Sequence, residues 1–113
     1  MEFMMFVVDD PTAEPYVEAE DNIVEWVAEL DERGMDVKGD RLRPASDART
    51  IRIRDGKTIV TTGPFTESRE VIAGYGIINA ADLAEAIEVS SRHPMARFGR
   101  IELRPVWPFT GED

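Results

Sequence analysis

Residues 60–75 read VTTGPFTESREVIAGY, and this stretch constrains how the rest of the chain can fold. It carries a Gly63-Pro64 turn and then enters a strand, residues 71–78, that is apolar on both faces. Gly74 and Gly76 share one face, which lets a large group approach the backbone closely. Such a strand needs cover on both sides, because burying one large apolar side chain is worth about 1.5 to 3 kcal/mol.

A second strand of this kind begins the chain. Residues 3–8 read FMMFVV, a continuous apolar run ended by Asp9, Asp10 and Pro11. Runs of this type are typical of strands buried on both faces. The run is too short for a signal peptide, lacks a basic leader and continues into two acidic residues, so we expect a cytoplasmic protein.

Two amphipathic helices are predicted. Apolar residues recur at helical spacing from residue 23 to residue 30, and Gly34 supplies the residue that can turn left-handed to end this helix. The second helix is predicted to start after cap residues Asn79 and Asp82 and to end at His93, because Pro94 disfavours helix in the residue before it. Its predicted apolar stripe is Leu83, Ala86, Ile87 and Ser90.

A short strand and a hairpin are predicted between these segments. Residues 35–44 form the short strand, with Val37 and Leu42 as its core anchors. Residues 50–61 alternate around Asp55-Gly56, a strong hairpin signal because both turn positions need positive φ. The isoleucines of this hairpin, Ile51, Ile53 and Ile59, are expected to lie on its less solvent-exposed side. Its arginines, Arg52 and Arg54, are expected to lie on the more exposed side.

The last strand carries Ile101 and Leu103 on one face, and Pro105 favours a position at the sheet edge. The order of elements then matches one α+β domain over residues 1–113, a ferredoxin-like split βαβ antiparallel sheet with an inserted β-hairpin. In this arrangement the two doubly apolar strands are central. Two helices cover one sheet face only, so we expect a homodimer, a dimeric α+β barrel, in which a second copy covers the other face.

Charge and composition exclude several kinds of partner. The net charge of -10 opposes binding to nucleic acid and to anionic membranes. There is no cysteine and a single histidine, so thiolate and histidine-rich metal sites are excluded and no cofactor is expected. The expected partners are a second copy and a small-molecule ligand.

Four stretches resemble the YCII-related proteins, and more narrowly the branch named for its Asp-Gly-Pro-Phe (DGPF) motif. These stretches, residues 39–44, 51–57, 60–70 and 101–106, read GDRLRP, IRIRDGK, VTTGPFTESRE and IELRPV. The resemblance implies a dimeric α+β barrel over nearly the whole chain. It implies little about activity, because most members are uncharacterised, some are described as possible enzymes and some are linked with extracytoplasmic-function sigma factors.

The chain departs from the family pattern at two positions. Thr62 replaces the motif aspartate of the branch, which removes a carboxylate from the turn. Shorter YCII proteins have a proposed catalytic histidine in the first helix, and this chain has none between Tyr16 and Gly34. Neither proposed catalytic group is therefore carried over.

Candidate ligand-binding residues cluster around the Gly63-Pro64 turn. They are Arg41, Thr62, Gly63, Phe65, Glu67, Arg69 and Tyr75. His93 and Asp9 are the candidates for proton transfer, His93 because its ordinary pKa lies near neutrality. A structural role competes with each: His93 would be a C-terminal helix residue favoured by the helix dipole, and Asp9 would end a strand.

Three functions fit these residues. The first is binding of a small apolar or aromatic molecule beside the Gly63-Pro64 turn. The second is an enzyme of isomerase or lyase type, with His93 or Asp9 moving a proton, which rests on fold analogy. The third is a regulatory interaction module that docks through the acidic outer face of the first helix.

Overall fold

The computed structural model describes residues 1–63 and 71–111. Single 3₁₀ turns lie at Glu18–Glu20 and Ala45–Asp47. The helices and strands, in chain order, are β1 (Glu2–Val8), α1 (Ile23–Glu32), β2 (Asp36–Arg41), β3 (Arg49–Arg54), β4 (Lys57–Thr62), β5 (Ile72–Asn79), α2 (Leu83–Ser90), α3 (Pro94–Phe98) and β6 (Arg100–Pro105).

Four strands form an antiparallel sheet in the order β2-β5-β1-β6. With the β3-β4 hairpin set aside, this is the strand order of a ferredoxin-like α+β fold. The two strands that read as apolar on both faces, β1 and β5, are the central pair, and β6 lies at an edge. The predicted ferredoxin-like α+β fold, central strands and edge strand are therefore confirmed, and the dimeric barrel stays a prediction.

The core lies between one sheet face and the helices. Phe3 and Met5 of β1, Ile78 of β5 and Leu30 of α1 are almost fully buried there. Trp26 of α1 packs in the same cluster, and its indole Nε1 donates to the carbonyl oxygen of Val89 at 2.9 Å. This bond joins α1 to α2 and fixes the distance between the two helices.

The other face of the sheet, the open face, carries Met4 and Phe6 of β1 and Tyr75 and Ile77 of β5. The register pairs Met4 with Ile77 and Phe6 with Tyr75, so the four side chains share one surface. All four are half-buried, whereas their neighbours Phe3, Met5 and Ile78 are buried under the helices. The described helices thus leave an apolar sheet surface that they do not cover.

Two of the helix ends predicted from the sequence are observed, and a third is not. Gly34 has φ +67° just after α1, and the Asp82 side chain accepts a hydrogen bond from the Glu85 amide at the start of α2, both as predicted. The second helix was predicted to end at His93, and this is wrong: α2 ends at Ser90 and Pro94 opens α3. Proline fits the first turn of a helix because no hydrogen bond is required of its nitrogen there.

The predicted stripe of α2 is partly wrong. Leu83 and Ile87 are exposed, and the buried side of the helix is formed by Ala86, Val89 and Ser90. Small residues on this side let the helix approach the sheet closely, because a large side chain would hold it away.

Two further packing predictions are also wrong. Val37 is exposed because it lies in β2, an edge strand of which every residue is exposed, and Leu42, just after this strand, is exposed as well. Met35, just before β2, is buried in the core. Trp107 is also exposed, after the end of β6.

Residues 49–62, which we call the arm, form the predicted hairpin. Its strands β3 and β4 pair with each other in a separate two-stranded sheet. Asp55 and Gly56 have φ 52° and 74°, the two positive values that a type I′ turn needs. The prediction of the hairpin and of its turn is confirmed.

The predicted faces of the arm are wrong. Ile51 and Ile53 are exposed, while Arg52 is half-buried and pairs across the hairpin with Ile59. The isoleucines therefore lie on both sides of the arm, so alternation along one strand did not identify the drier side.

In the described ranges no helix is long and apolar enough to cross a bilayer.

Candidate functional site

A cavity of about 580 Å³ lies between the helix-facing side of the sheet and helix α1, with the start of α3 beside it. Its floor is made by Met5 and Val7 of β1 and by Gly74 and Gly76 of β5. The register places Met5 opposite Gly76 and Val7 opposite Gly74, so all four belong to one sheet face.

The cavity exists because glycines stand where a helix-facing side chain would otherwise fill the space. A Cβ added at Gly76 would meet its nearest atom, the Lys38 carbonyl oxygen, at 3.8 Å, which is ordinary contact. Gly39 of β2 pairs with Gly76, and backbone forms this part of the floor. A flat ligand could rest here against backbone, as the glycine pattern of the sequence suggested.

The wall opposite the floor is apolar and aromatic. Ile23, Trp26 and Val27 of α1 form it. Because Nε1 of Trp26 is bonded to Val89, the indole offers the cavity its ring surface. The Trp26 and His93 rings meet edge to face with centroids 4.7 Å apart, so His93 is part of the same wall.

His93 is a neutral hydrogen-bond donor at this wall. Its side chain is 8% exposed, and the Met95 amide donates to Nδ1 at 3.0 Å. The neutral ring therefore carries its proton on Nε2, which has no hydrogen-bond partner among the described residues. Burial lowers the pKa of His93 to about 4, against the smaller opposing pull of the Asp21 carboxylate. The predicted role of a C-terminal helix histidine is wrong, because His93 caps the N-terminus of α3.

A free guanidinium lies at the cavity mouth. Arg41 pairs with Gly74 and so lies on the helix-facing side of the sheet, at the end of β2. It is exposed and makes no ion pair with any residue in the described ranges. Tyr16 and Asp21 flank the cavity, but the Tyr16 hydroxyl donates to Asp21, which also accepts from the Ile23 amide at 3.0 Å. Arg41 is thus one charged group at the mouth that is available to a ligand, and Lys38 and Asp40 of β2 also border the cavity.

Asp36 borders the cavity at the opposite end of β2. Five residues along a strand span roughly 16 Å, so its carboxyl group is remote from Arg41. Burial and then the neighbouring Asp31 carboxylate raise the pKa of Asp36 above its ordinary value.

The structure brings some of the predicted ligand residues to the cavity. Arg41 and Tyr75 border it, although the register places the Tyr75 side chain on the open face. Thr62 and Gly63 lie at the end of the arm and do not border it; the Gly63 carbonyl accepts from the Thr50 hydroxyl at 2.9 Å. A ligand role for these two residues stays a prediction. Phe65, Glu67 and Arg69 lie outside the described residues.

The two acidic residues after β1 lie outside the cavity lining. Asp9 is exposed, and its amide donates to the Val71 carbonyl at 2.8 Å. Asp10 accepts from both the amide and the hydroxyl of Thr12, so it forms the turn expected there. A proton-transfer role for Asp9 stays a prediction.

The sequence did not identify Trp26 as a cavity residue. Its helical spacing with Ile23 and Leu30 is equally typical of core packing, and Trp26 does both. The two glycines on one face of β5 were the available signal, because they predict empty space above the sheet without saying which helix residue faces it. Among the described residues, no group of three or more acidic or histidine side chains could hold a metal ion.

The comparisons with known proteins agree with this fold. A profile of the YCII-related domain matches residues 1–110, and the chain belongs to the YCII-related family. An uncharacterized protein of Rhizobium meliloti (strain 1021) is 39% identical over 70 residues, which is 58% of this chain and 55% of that protein. The chain therefore matches about half the length of this curated relative, whose name gives no activity. The narrower DGPF branch stays a prediction.

Proposed function

We propose that this chain binds a small, mainly apolar organic acid in the cavity between the sheet and α1. An aromatic carboxylic acid is the ligand class that we favour. One observation carries the proposal: an apolar cavity of about 580 Å³ has a free guanidinium at its mouth and a neutral histidine donor in its wall. The volume falls within the range of about 300 to 1,000 Å³ that is usual for small-molecule sites.

The lining favours a flat apolar body with one anionic end. Trp26 and the glycines of the floor line the same cavity, which suits a ring as the ligand body. Arg41 can form two parallel hydrogen bonds with a carboxylate. Nε2 of His93 can donate to a further polar atom of the ligand.

The catalytic alternative has less support. A histidine with a pKa of about 4 is almost wholly neutral at pH 7 and is a weak base. Asp9 does not border the cavity. A neutral donor fixes the orientation of a ligand, which fits a binding protein.

The experiment is a thermal-shift and fluorescence titration with benzoate, phenylacetate and indole-3-acetate, each against its uncharged amide. The substitution Trp107→Phe removes the exposed tryptophan, so that the fluorescence comes from Trp26 alone. We expect the acids to raise the melting temperature and change Trp26 emission, and the amides to bind more weakly.

Two variants locate the site. Gly76→Val adds methyl groups to the cavity from a position with room for Cβ, and should abolish the response. Arg41→Gln should weaken acid binding by about tenfold or more, because one charged hydrogen-bonding group is lost. Arg43→Gln is the matched control, since Arg43 is paired with Asp47 at 2.9 Å and does not border the cavity. No response to any acid, or an equal response in Gly76→Val, would contradict the proposal.

The proposal also includes a homodimer in which the open faces of two copies pack together, and the cytoplasmic location expected from the sequence. Met4, Phe6, Tyr75 and Ile77 support the dimer, because they form an apolar surface that the described helices leave uncovered.

A further inference from the structure

Charged residues border the apolar centre of the open face at both edges of the sheet. Met4 and Ile77 lie directly opposite each other in the centre, and the residue paired with each of them on its outer side is basic. Directly opposed residues of antiparallel strands place their side chains on the same face. This line of four side chains, which we call the basic row, reads Lys38, Ile77, Met4 and Arg104 from β2 to β6.

The next row of the same face is acidic at both ends. Here Tyr75 and Phe6 are opposed in the centre, and each is paired with an acidic residue of an edge strand. The acidic row reads Asp40, Tyr75, Phe6 and Glu102 from β2 to β6. It lies about 7 Å along the strands from the basic row, because residues two apart share a face. Both edges of the open face therefore carry one basic and one acidic side chain, in the same order.

The charged ends of the two rows are accessible to a partner. Every residue of β2 is exposed. The Arg104 and Glu102 side chains are 73% and 59% exposed, although they lie 4.0 Å apart. An exposed pair of this kind contributes little to stability and is easily exchanged for another. An apolar centre inside a charged rim is the usual composition of a protein–protein interface.

The order of the charges distinguishes between two ways of stacking the open faces. The two-fold axis of such a pair lies between the sheets and parallel to them, and for nearly aligned strands it runs along the strands or across them. An axis along the strands sets β2 over β6 of the second copy and each row over the same row, so that like charges meet. An axis across the strands sets β2 over β2 and the basic row over the acidic row, so that opposite charges meet at both edges.

We propose that two copies of this chain stack their open faces about a two-fold axis that runs across the strands. Lys38 then meets Asp40 of the second copy at one edge, and Arg104 meets Glu102 of the second copy at the other. Packed sheets lie about 10 Å apart, a distance that a basic and an acidic side chain span together. This inference rests on the homodimer in the proposed function and adds its orientation, which the charged edges select.

The first test is the variant Lys38→Glu, with the dimer dissociation constant measured by sedimentation. We expect the constant to rise by about tenfold or more, because the introduced carboxylate meets Asp40 of the second copy at two symmetric places. The matched control is the exchange Lys38→Glu/Asp40→Lys, which keeps the net charge of -10. It should restore the constant, since each introduced charge again meets its opposite.

The second test mixes the single variants Lys38→Glu and Asp40→Lys. We expect a heterodimer that is tighter than either homodimer, because only the mixed pair has opposite charges at both contacts of this edge. Circular dichroism of each variant verifies that it is folded, which we expect because both positions are exposed.

Three results would overturn the orientation and leave the homodimer in place. A tighter Lys38→Glu dimer would indicate the axis along the strands, where the introduced carboxylate meets Arg104 of the second copy. A constant equal to that of the wild type in Lys38→Glu, or a charge exchange as weak as the single variant, would show that these edges do not meet as proposed. A wild-type monomer would overturn the homodimer as well, and the ligand titration tests the cavity independently of all these results.

Discussion

At the scale of single residues, His93 shows how neighbours decide a side chain's chemistry. The ring lies against Trp26, its Nδ1 is taken by the Met95 amide, and burial holds its pKa at about 4. None of these contacts is local in sequence except the one to Met95. A histidine that looks available for proton transfer in the sequence is therefore a fixed neutral donor in the fold.

The same burial makes stability depend on pH. The folded chain keeps His93 neutral down to about pH 4, whereas the unfolded chain protonates it near 6.5. The unfolded state binds more protons in this interval, so the free energy of unfolding falls as the pH drops from 6.5 towards 4. The variant His93→Gln lacks this titrating group. As the pH drops from 6.5 to 4, the free energy of unfolding of the wild type, relative to that of the variant, should fall by up to about 3 kcal/mol.

Urea denaturation of both proteins at several pH values measures this difference. Because the two chains share every other titrating group, the comparison cancels the carboxylates. A difference that stays constant between pH 6.5 and 4 would mean that His93 is not held neutral.

At the scale of elements, close contacts between backbones position α3 beside the sheet. A Cβ on Gly99 would lie 2.5 Å from the Val8 carbonyl oxygen and 3.2 Å from Cε of Met95. Glycine at this position lets the chain pass from α3 into β6 while touching β1. This passage from α3 into β6 is called the joint.

Gly99→Ala should therefore lower the free energy of unfolding by about 1 to 3 kcal/mol, because the backbone must move to admit the methyl group. Gly76→Ala is the control, since its Cβ would have no neighbour closer than 3.8 Å. It should change stability by less than about 1 kcal/mol. Urea denaturation gives both values, and equal losses would show that the Gly99 contact is not what limits the joint.

At the scale of the whole molecule, the described residues form two layers. The extents are 49 × 41 × 20 Å, and the shortest corresponds to one sheet with one layer of helices. A sheet with two apolar faces and a single helical layer is half covered. A second copy packed on the open face would supply the third and fourth layers.

We therefore expect the wild type to sediment as a dimer at low micromolar concentration and Phe6→Glu to sediment as a monomer. The substitution places a charge at the centre of the open face, and burying it unpaired would be costly. Ile87→Glu is the control, because Ile87 is an exposed apolar residue of α2 on the other side of the sheet. A monomeric wild type, or a Phe6→Glu protein that dimerises as tightly as the wild type, would exclude this dimer.

The sequence by itself determined the strand order, the central pair, the hairpin with its Asp55-Gly56 turn and the family. The central pair follows from apolar periodicity, the strand order from the order of the elements and the hairpin from its turn residues, which act over a few positions. The family follows from a resemblance across four stretches of the chain. Only the tertiary structure decided that His93 begins a helix, that Arg41, Trp26 and the glycine floor enclose one cavity, and which side of the arm is exposed. These features depend on contacts between residues far apart in the chain, and local pattern carries no information about which distant side chain fills a given space.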